Sequence, residues 1–299
     1  MQTIRVLTEE TINQIAAGEV IENPASVVKE LVENAIDAGA HQISIEVKGG
    51  GFQLIRVSDD GCGMNQEDAL LCFERHATSK IGGIDDLSSL LSMGFRGEAL
   101  ASIASISRVH LITSLHDGQG TEVEVGAGKV KSVGPASRKK GTTFEIRALF
   151  YNVPARKKFQ KQAAGAFAEI HKLVITLALA HPEIGFELIS NEQVILKVIP
   201  ASLESRISDL FQSSFLSTKL PISGQERDYA VDGFLGIPAD HRSNRTGQYL
   251  FVNRRPIFSP QVAWAIKEGY GERLSENRYP LFVVYLTVPP ALLDVNVHP

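Results

Sequence analysis

Glu30 and Asn34 stand four residues apart in Pro24-Ala-Ser-Val-Val-Lys-Glu-Leu-Val-Glu-Asn-Ala-Ile-Asp-Ala-Gly39, a segment whose pattern predicts a helix. That spacing is about one helical turn, so both side chains leave the same side. A carboxylate at Glu30 can accept a proton from an attacking water, and a carboxamide oxygen at Asn34 can bind a hard cation. Mg²⁺ takes few protein ligands and fills its shell with water and phosphate oxygens, so one neutral ligand leaves positive charge on the metal. Glu33 and Asp37 share the same arc, roughly 100° wide, while Val27, Val28, Leu31, Val32, Ala35 and Ile36 occupy the rest. Taken alone, such a stripe is a solvated face. Glu33 stands beside the pair without a firm role, and Asp37 is expected to be a solvated acid at the helix end.

Three further stretches supply complementary chemistry. Arg56-Val-Ser-Asp-Asp-Gly-Cys-Gly-Met64 runs from a strand into a turn. Gly61 and Gly63 there remove side chains where a flat ring could approach the backbone, and Asp59 offers a carboxylate to an exocyclic amine such as that of adenine. Asp-Asp-Gly by itself is only a turn signal. Arg75-His-Ala-Thr-Ser-Lys80 and Gly94-Phe-Arg-Gly-Glu-Ala-Leu100 then bring Thr78, Ser79, Lys80 and Arg96, with glycines placed just before a helix where exposed N–H groups bind anions. Neither stretch is a Walker A loop or a dinucleotide fingerprint. His76 and Phe95 are expected to be structural members of this lid. Gly141-Thr-Thr-Phe144 enters a strand with hydroxyls that could reach the same base.

These residues need a scaffold. Asn23 is a good N-cap, Pro24 suits the first helical position, and Gly39 is a natural stop. Strands are expected at residues 41–47, 53–57, 109–113, 121–125 and 142–147, and helices at 66–73, 99–106 and 163–180. A hairpin about Asn191-Glu192 joins strands 186–190 and 194–199; a Ser-rich helical segment follows, then Pro221. A second run has strands at 229–236, 248–252 and 281–288 around a helix at 261–269. Hairpins with interposed helices argue for an α+β fold rather than a doubly wound parallel sheet, with a domain boundary near residue 205.

Composition sets outer limits. The 299 residues are enough for two ordinary domains, and the net charge of −4 makes no global case for nucleic acid. Any such contact must come from local basic surface: Arg138-Lys139-Lys140, Arg156-Lys157-Lys158 with Lys161, or Arg242, Arg245, Arg254, Arg255 and Lys267. Each cluster alone reads as a solvated face. Cys62 and Cys72 are too few for a disulfide framework and lack metal-ligand spacing, so a reduced, cytoplasmic setting is expected. No apolar run reaches the ~18 residues that span a bilayer, and the N-terminus is no signal peptide.

The order of these elements resembles the GHKL ATPases, whose nucleotide fold is shared by type II topoisomerases, heat-shock chaperones and sensor kinases. Gln14-Ile-Ala-Ala-Gly-Glu-Val20, Lys29-Glu-Leu-Val-Glu-Asn34, Arg75-His-Ala-Thr-Ser-Lys80, Gly94–Leu100, Leu149-Phe-Tyr-Asn-Val-Pro-Ala-Arg156 and Asp294-Val-Asn-Val-His-Pro299 more closely resemble the MutL family of DNA mismatch-repair proteins, over nearly the whole chain. That resemblance implies a Bergerat-type ATP-binding sandwich of mixed sheet and helices over residues 1–205. A smaller α/β transducer domain of ribosomal-protein-like fold, truncated at its C-terminal end, follows over 206–299. It implies ATP and Mg²⁺ as cofactors, Glu30 as general base, Asn34 on the metal and Asp59 on adenine. Gly63, Thr78, Ser79, Lys80, Gly94, Phe95, Arg96, Gly97 and Thr142 or Thr143 would line the base and phosphate sites. Arg254, Arg255 and Lys267 would hold DNA by its backbone, without reading sequence. Partners would be a MutS-like mismatch-recognition protein, DNA, and a second copy of the chain on ATP binding. Family members place a lysine two positions beyond the Asp-Val-Asn-Val-His-Pro motif, where it reaches the γ-phosphate; its absence here leads to the expectation of ATP binding with weakened turnover. The alternative is a nucleotide-gated DNA-binding scaffold without hydrolysis. Ala35-Ile36 and Asp60 depart from commoner family residues without removing a proposed catalytic group.

Overall fold

The computed structural model describes residues 8, 12, 17, 20–80, 97–216 and 219–293. They fall into two compact units, one within Met1–Val174 and Ile184–Ile199, the other within Ile175–Glu183 and Pro200–His298. The first contains, in order, α1 (Pro24–Asp37), β1 (Gln42–Lys48), β2 (Leu54–Asp59), α2 (Gln66–Leu71), α3 (Ala99–Ser105), β3 (Arg108–His116), β4 (Gln119–Gly126), β5 (Lys129–Ala136), β6 (Gly141–Arg147), α4 (Pro154–Lys158), most of α5 (Ala163–Ala180), β7 (Gly185–Ser190) and β8 (Gln193–Val198). Its eight-stranded sheet has the order β5-β4-β3-β6-β2-β1-β7-β8. Every pairing is antiparallel except β1 with β7.

Period-2 alternation gives this sheet one apolar and one polar face. Ile43, Ile45, Val47, Ile55, Val57, Leu111, Phe144 and Ile146 are buried, as are Val27, Val28, Leu31, Val32 and Ala35 of α1, which packs on β2. The residues between them carry ions instead: Arg56 reaches Glu46 on one neighbouring strand and Glu145 at 2.6 Å on the other. The hairpin predicted about Asn191-Glu192 is present, with φ of 46° and 70° at those residues, the left-handed pair that a tight β-turn requires. β5 escaped prediction because it is an exposed edge strand whose two valines, Val130 and Val133, stand three apart among Lys, Ser, Gly and Pro, so no period-2 apolar alternation can be read.

The second unit holds the end of α5, then α6 (Leu203–Leu216), β9 (Leu220–Glu226), β10 (Tyr229–Leu235), β11 (His241–Arg242), β12 (Gln248–Val252), β13 (Arg255–Ile257), α7 (Pro260–Tyr270), β14 (Tyr279–Pro280) and β15 (Phe282–Thr287). Five of the strands form a sheet in the order β13-β12-β15-β10-β9, with β12 and β15 parallel; β11 pairs with β14. One face carries Phe251, Leu281 and Val283 against Leu179, Ala180 and Ile207. The other carries Leu250, Phe282 and Val284 against Val262, Ala263 and Ile266 of α7. Pro221, which lacks an N–H, sits in β9 at the sheet edge, where a missing donor costs least.

Arg206 ties this unit together. It is 0% exposed, and its guanidinium donates to the carbonyls of Ala178 at 2.7 Å, Pro182 at 2.9 Å and His181 at 3.4 Å. Those carbonyls belong to the C-terminal turn of α5 and the residues after it, where backbone acceptors lack helical partners. By length and mean hydropathy α5 is long and apolar enough to cross a membrane, contrary to the expectation that no segment would be. Glu169 and Lys172 interrupt it, however, and Ala166, Ile170, Val174, Leu177 and Ala178 are buried within the protein, as in a core helix.

Candidate active site

α1 starts as its sequence dictates. Asn23 is extended at the cap, its side chain accepts from Ser26 N at 2.9 Å, and Pro24 follows where no donor is needed. Gly39 ends the helix region at φ 71°. The helix divides its polar stripe unequally. Glu30 is half-buried, with Lys29 Nζ 3.2 Å away. Glu33 is only 6% exposed and receives the same ammonium at 3.0 Å. Burial pushes the Glu33 carboxyl above its ordinary range despite Lys29, and the two glutamates together hold Lys29 above its own, against the desolvation that would lower it.

Asp37 corrects the expectation of a solvated acid. Lys80 Nζ lies 2.5 Å from Asp37 Oδ2 and donates to Asn34 Oδ1 at 2.9 Å, and the Asp37 side chain is 13% exposed. An ammonium thus stands against the carboxamide oxygen proposed for Mg²⁺, with a carboxylate one turn along the helix. A hard carboxamide oxygen beside a carboxylate attracts a cation here, and this pair of oxygen donors fits a magnesium ion. Lys80 is itself oriented by the turn before it, where Lys80 N donates to Thr78 Oγ1 at 3.1 Å. No cluster of three or more His, Cys, Asp or Glu suited to a metal occurs among the described residues.

Asp59 ends β2 with its two carboxylate oxygens in different situations. Oδ1 accepts from Gly61 N at 2.9 Å and Thr142 N at 3.2 Å, whereas Oδ2 has no donor among the described residues. Burial raises the Asp59 carboxyl pKa; the Gly61 N–H, the Arg138 charge and the Thr142 N–H pull it back. A carboxylate clamped through one oxygen presents the other to a ligand. The turn is built on glycine: at Gly63 (φ 72°) an added Cβ would stand 1.9 Å from Ser114 O, and at Gly141 (φ 120°) it would stand 2.2 Å from Asp59 O. Neither position admits a side chain without moving backbone.

The sheet's alternation decides between the two threonines. Ser58 pairs with Thr143, which puts Thr142 level with Asp59 on the face that also carries Thr113; Thr142 Oγ1 is 3.0 Å from Thr113 Oγ1. Thr143 faces the opposite side, where its hydroxyl meets Ser58 Oγ at 2.6 Å and the Arg138 guanidinium at 3.0 Å. Its side chain therefore does not join the Asp59 group, and only Thr142 does. Arg138 belongs to a basic cluster that alone reads as a solvated face, yet it donates to Asp59 O at 2.9 Å and so braces the strand end. No local pattern in Arg138-Lys139-Lys140 distinguishes that residue from its neighbours.

His76 N donates to Gly97 O at 3.0 Å, and Gly97 (φ 60°) leaves no room for a Cβ, which would lie 2.5 Å from Ala77 O. These contacts bring together the chain on either side of residues 81–96. Gly94, Phe95 and Arg96 lie outside the described residues, as do most of 1–20 and all of 294–299. Ser79 makes no polar contact with the other site residues among those described. In the second unit, Arg254 forms an ion pair with Glu183 at 2.5 Å, Arg255 begins β13, and Lys267 on α7 lies over the Tyr279 ring, 5.4 Å from its centroid.

Known proteins match along the whole chain. Residues 21–164 match the histidine kinase-, DNA gyrase B- and HSP90-like ATPase family, and residues 207–299 match the DNA mismatch repair protein C-terminal domain. The DNA mismatch repair protein MutL of Chloroherpeton thalassium is 43% identical over 300 residues, covering 100% of this chain and 47% of its own length. The chain therefore spans about half the length of such relatives. The Aquifex aeolicus MutL ATPase domain complexed with ADP is similar at TM-score 0.70 and 29% identity, covering 91% of this chain and 94% of that one. The crystal structure of the N-terminal domain of a DNA repair protein reaches TM-score 0.81 at 27% identity, covering 96% and 90%. The α+β sandwich is of the GHKL type, and the chain belongs to the MutL family of DNA mismatch-repair proteins.

Proposed function

We propose that this chain is an ATP-binding, slowly ATP-hydrolysing switch that couples mismatch recognition by a MutS-like protein to strand incision or excision. The observation that carries the nucleotide reading is Asp59, with Oδ1 fixed by two backbone N–H groups and Oδ2 left for an adenine amine. Gly63 gives the base access to the backbone, and Thr142 stands on the same sheet face. Glu30 is the general base: a half-buried carboxylate on the side of α1 that bears Asn34, positioned to take a proton from water attacking the γ-phosphate. Asn34 holds the metal, with Lys80 giving way to it; when bound, Mg²⁺ neutralises charge on the phosphates. Thr78, Ser79, Lys80, Gly94, Phe95, Arg96 and Gly97 form the lid and phosphate side. A relative's ADP complex supports the same reading.

Nucleotide binding orders the lid and favours pairing of two copies, and hydrolysis resets them in the cytoplasm. Residues 206–299 act as the transducer domain, with Arg254, Arg255 and Lys267 on DNA backbone phosphates, without reading sequence. The test is Glu30→Ala. Slow ATP turnover by the parent chain that Glu30→Ala removes, with ATP affinity within about threefold, supports hydrolysis at this site. Binding without turnover in both proteins instead supports the gated scaffold, which the Lys80 ammonium on Asn34 favours, since a metal must displace it.

A further inference from the structure

α1 ends without a cation of its own. No basic residue falls in its last turn, although the C-terminal end of a helix carries partial negative charge and Asp37 adds a carboxylate there. Lys29 does not serve, because its ammonium is engaged nearer the start of the helix, on Glu30 and Glu33 at 3.2 and 3.0 Å. The charge comes from Lys80, whose Nζ lies 2.5 Å from Asp37 Oδ2 and 2.9 Å from Asn34 Oδ1.

The pair is withdrawn from water: the Lys80 side chain is 19% exposed and that of Asp37 13%. An ammonium in that setting is held in place, unlike the members of a surface ion pair. Lys80 is also aimed from behind. Its N–H donates to Thr78 Oγ1 at 3.1 Å, and two residues before Thr78 the chain is pinned where His76 N donates to Gly97 O at 3.0 Å. A brace for Asp37 alone would not need the second contact, on the Asn34 carboxamide oxygen. A magnesium ion on that oxygen, at about 2.1 Å, would stand no more than about 5 Å from the ammonium, where like charges repel in a site removed from water. Ammonium and metal therefore compete for one position.

We propose that Lys80, retained by Asp37, is a resident cation that plugs the magnesium position at Asn34 and makes divalent-metal binding conditional on nucleotide. The proposal rests on the reading of Asn34 as the metal ligand and adds an order of events and a role for Asp37. A metal arriving alone has to displace a paired ammonium and gives it no anion in return. A triphosphate changes both sides of the exchange: it receives the ammonium and supplies oxygen ligands to the metal.

Manganese(II) takes the same oxygen ligands, and its free-ion paramagnetic resonance signal disappears on binding, so it reads the position without turnover. The full chain and the variants Lys80→Met and Lys80→Gln are titrated with manganese alone, and again with a non-hydrolysable ATP analogue present. Lys80→Gln keeps a hydrogen-bond donor for Asp37 and so guards against loss of the fold. A plug closed in about 90–99% of molecules weakens metal binding by about 10- to 100-fold. Both variants should therefore bind manganese alone about 10- to 100-fold more tightly than the parent, and Asn34→Ala placed on either should remove the gain. Manganese alone should likewise raise the melting temperature of both variants and leave that of the parent unmoved.

Equal manganese affinity of parent and variants without nucleotide overturns the plug. The Asn34 reading survives that result if Asn34→Ala still weakens binding of the manganese–nucleotide complex. Indifference of that complex to Asn34→Ala sinks the metal reading itself, and the plug with it. A gain in the Lys80 variants that persists when Asn34→Ala is added puts the cation on Asp37 alone and also overturns the proposal.

Discussion

Asp59→Asn isolates the adenine contact from the scaffold that supports it. The amide keeps an oxygen where Oδ1 now accepts from Gly61 N at 2.9 Å and Thr142 N at 3.2 Å. Its NH₂ replaces Oδ2, so an adenine amine meets a donor instead of an acceptor. A hydrogen bond to a charged group contributes about 1.5–3 kcal/mol, and donor facing donor adds to the loss. A cost of about 2–3 kcal/mol corresponds to roughly 30- to 150-fold weaker ATP binding. The unliganded protein should melt no lower than the parent, because burial already raises the Asp59 pKa and the amide carries no charge to desolvate. Calorimetric titration with ATP and with inosine triphosphate reads both effects. Inosine presents a carbonyl where adenine has its amine, so the variant should lose ATP while retaining or improving inosine triphosphate. ATP affinity within about threefold of the parent, or equal loss of both nucleotides, refutes this assignment of Oδ2.

Lys80→Met removes the ammonium that pairs with Asp37 and Asn34, and should lower stability by about 2 kcal/mol in the absence of nucleotide. Adding Asp37→Asn should recover most of that loss in a double-mutant cycle followed by denaturant unfolding. Glu33→Gln tests the buried acid. Its folded-state pKa is raised, so the parent's penalty is absent below the unfolded carboxyl value near pH 4.3 and grows as pH rises through the folded value. The variant should therefore melt higher than the parent at pH 7, with the gain vanishing by about pH 4. Arg206→Leu strands the Ala178 carbonyl, leaves that of Pro182 with only the Ala201 N–H, and should destabilise the second unit by about 3 kcal/mol, read as loss of the cooperative unfolding of residues 200–293 by hydrogen exchange.

The local sequence determined a good deal. Asn23, Pro24 and Gly39 fixed both ends of α1, and one-turn spacing placed Glu30 and Asn34 on one side, because helix geometry depends only on separation along the chain. Asp59, Gly61 and Gly63 identified a turn that a flat ring could approach for the same reason: backbone freedom is a property of residue type. Motif wording then named the family. Tertiary structure decided what each of these groups touches. Asp37 looked solvated until a lysine 43 residues later closed on it at 2.5 Å. Thr142 and Thr143 were equal candidates until the register of β6 against β2 sent their side chains to opposite faces. Arg138 was one of three adjacent basic residues until the fold brought it to the Asp59 carbonyl, 79 residues away in sequence. Spacing along one element can be read from a sequence, but burial, charge pairing and sheet face depend on which distant segments become neighbours.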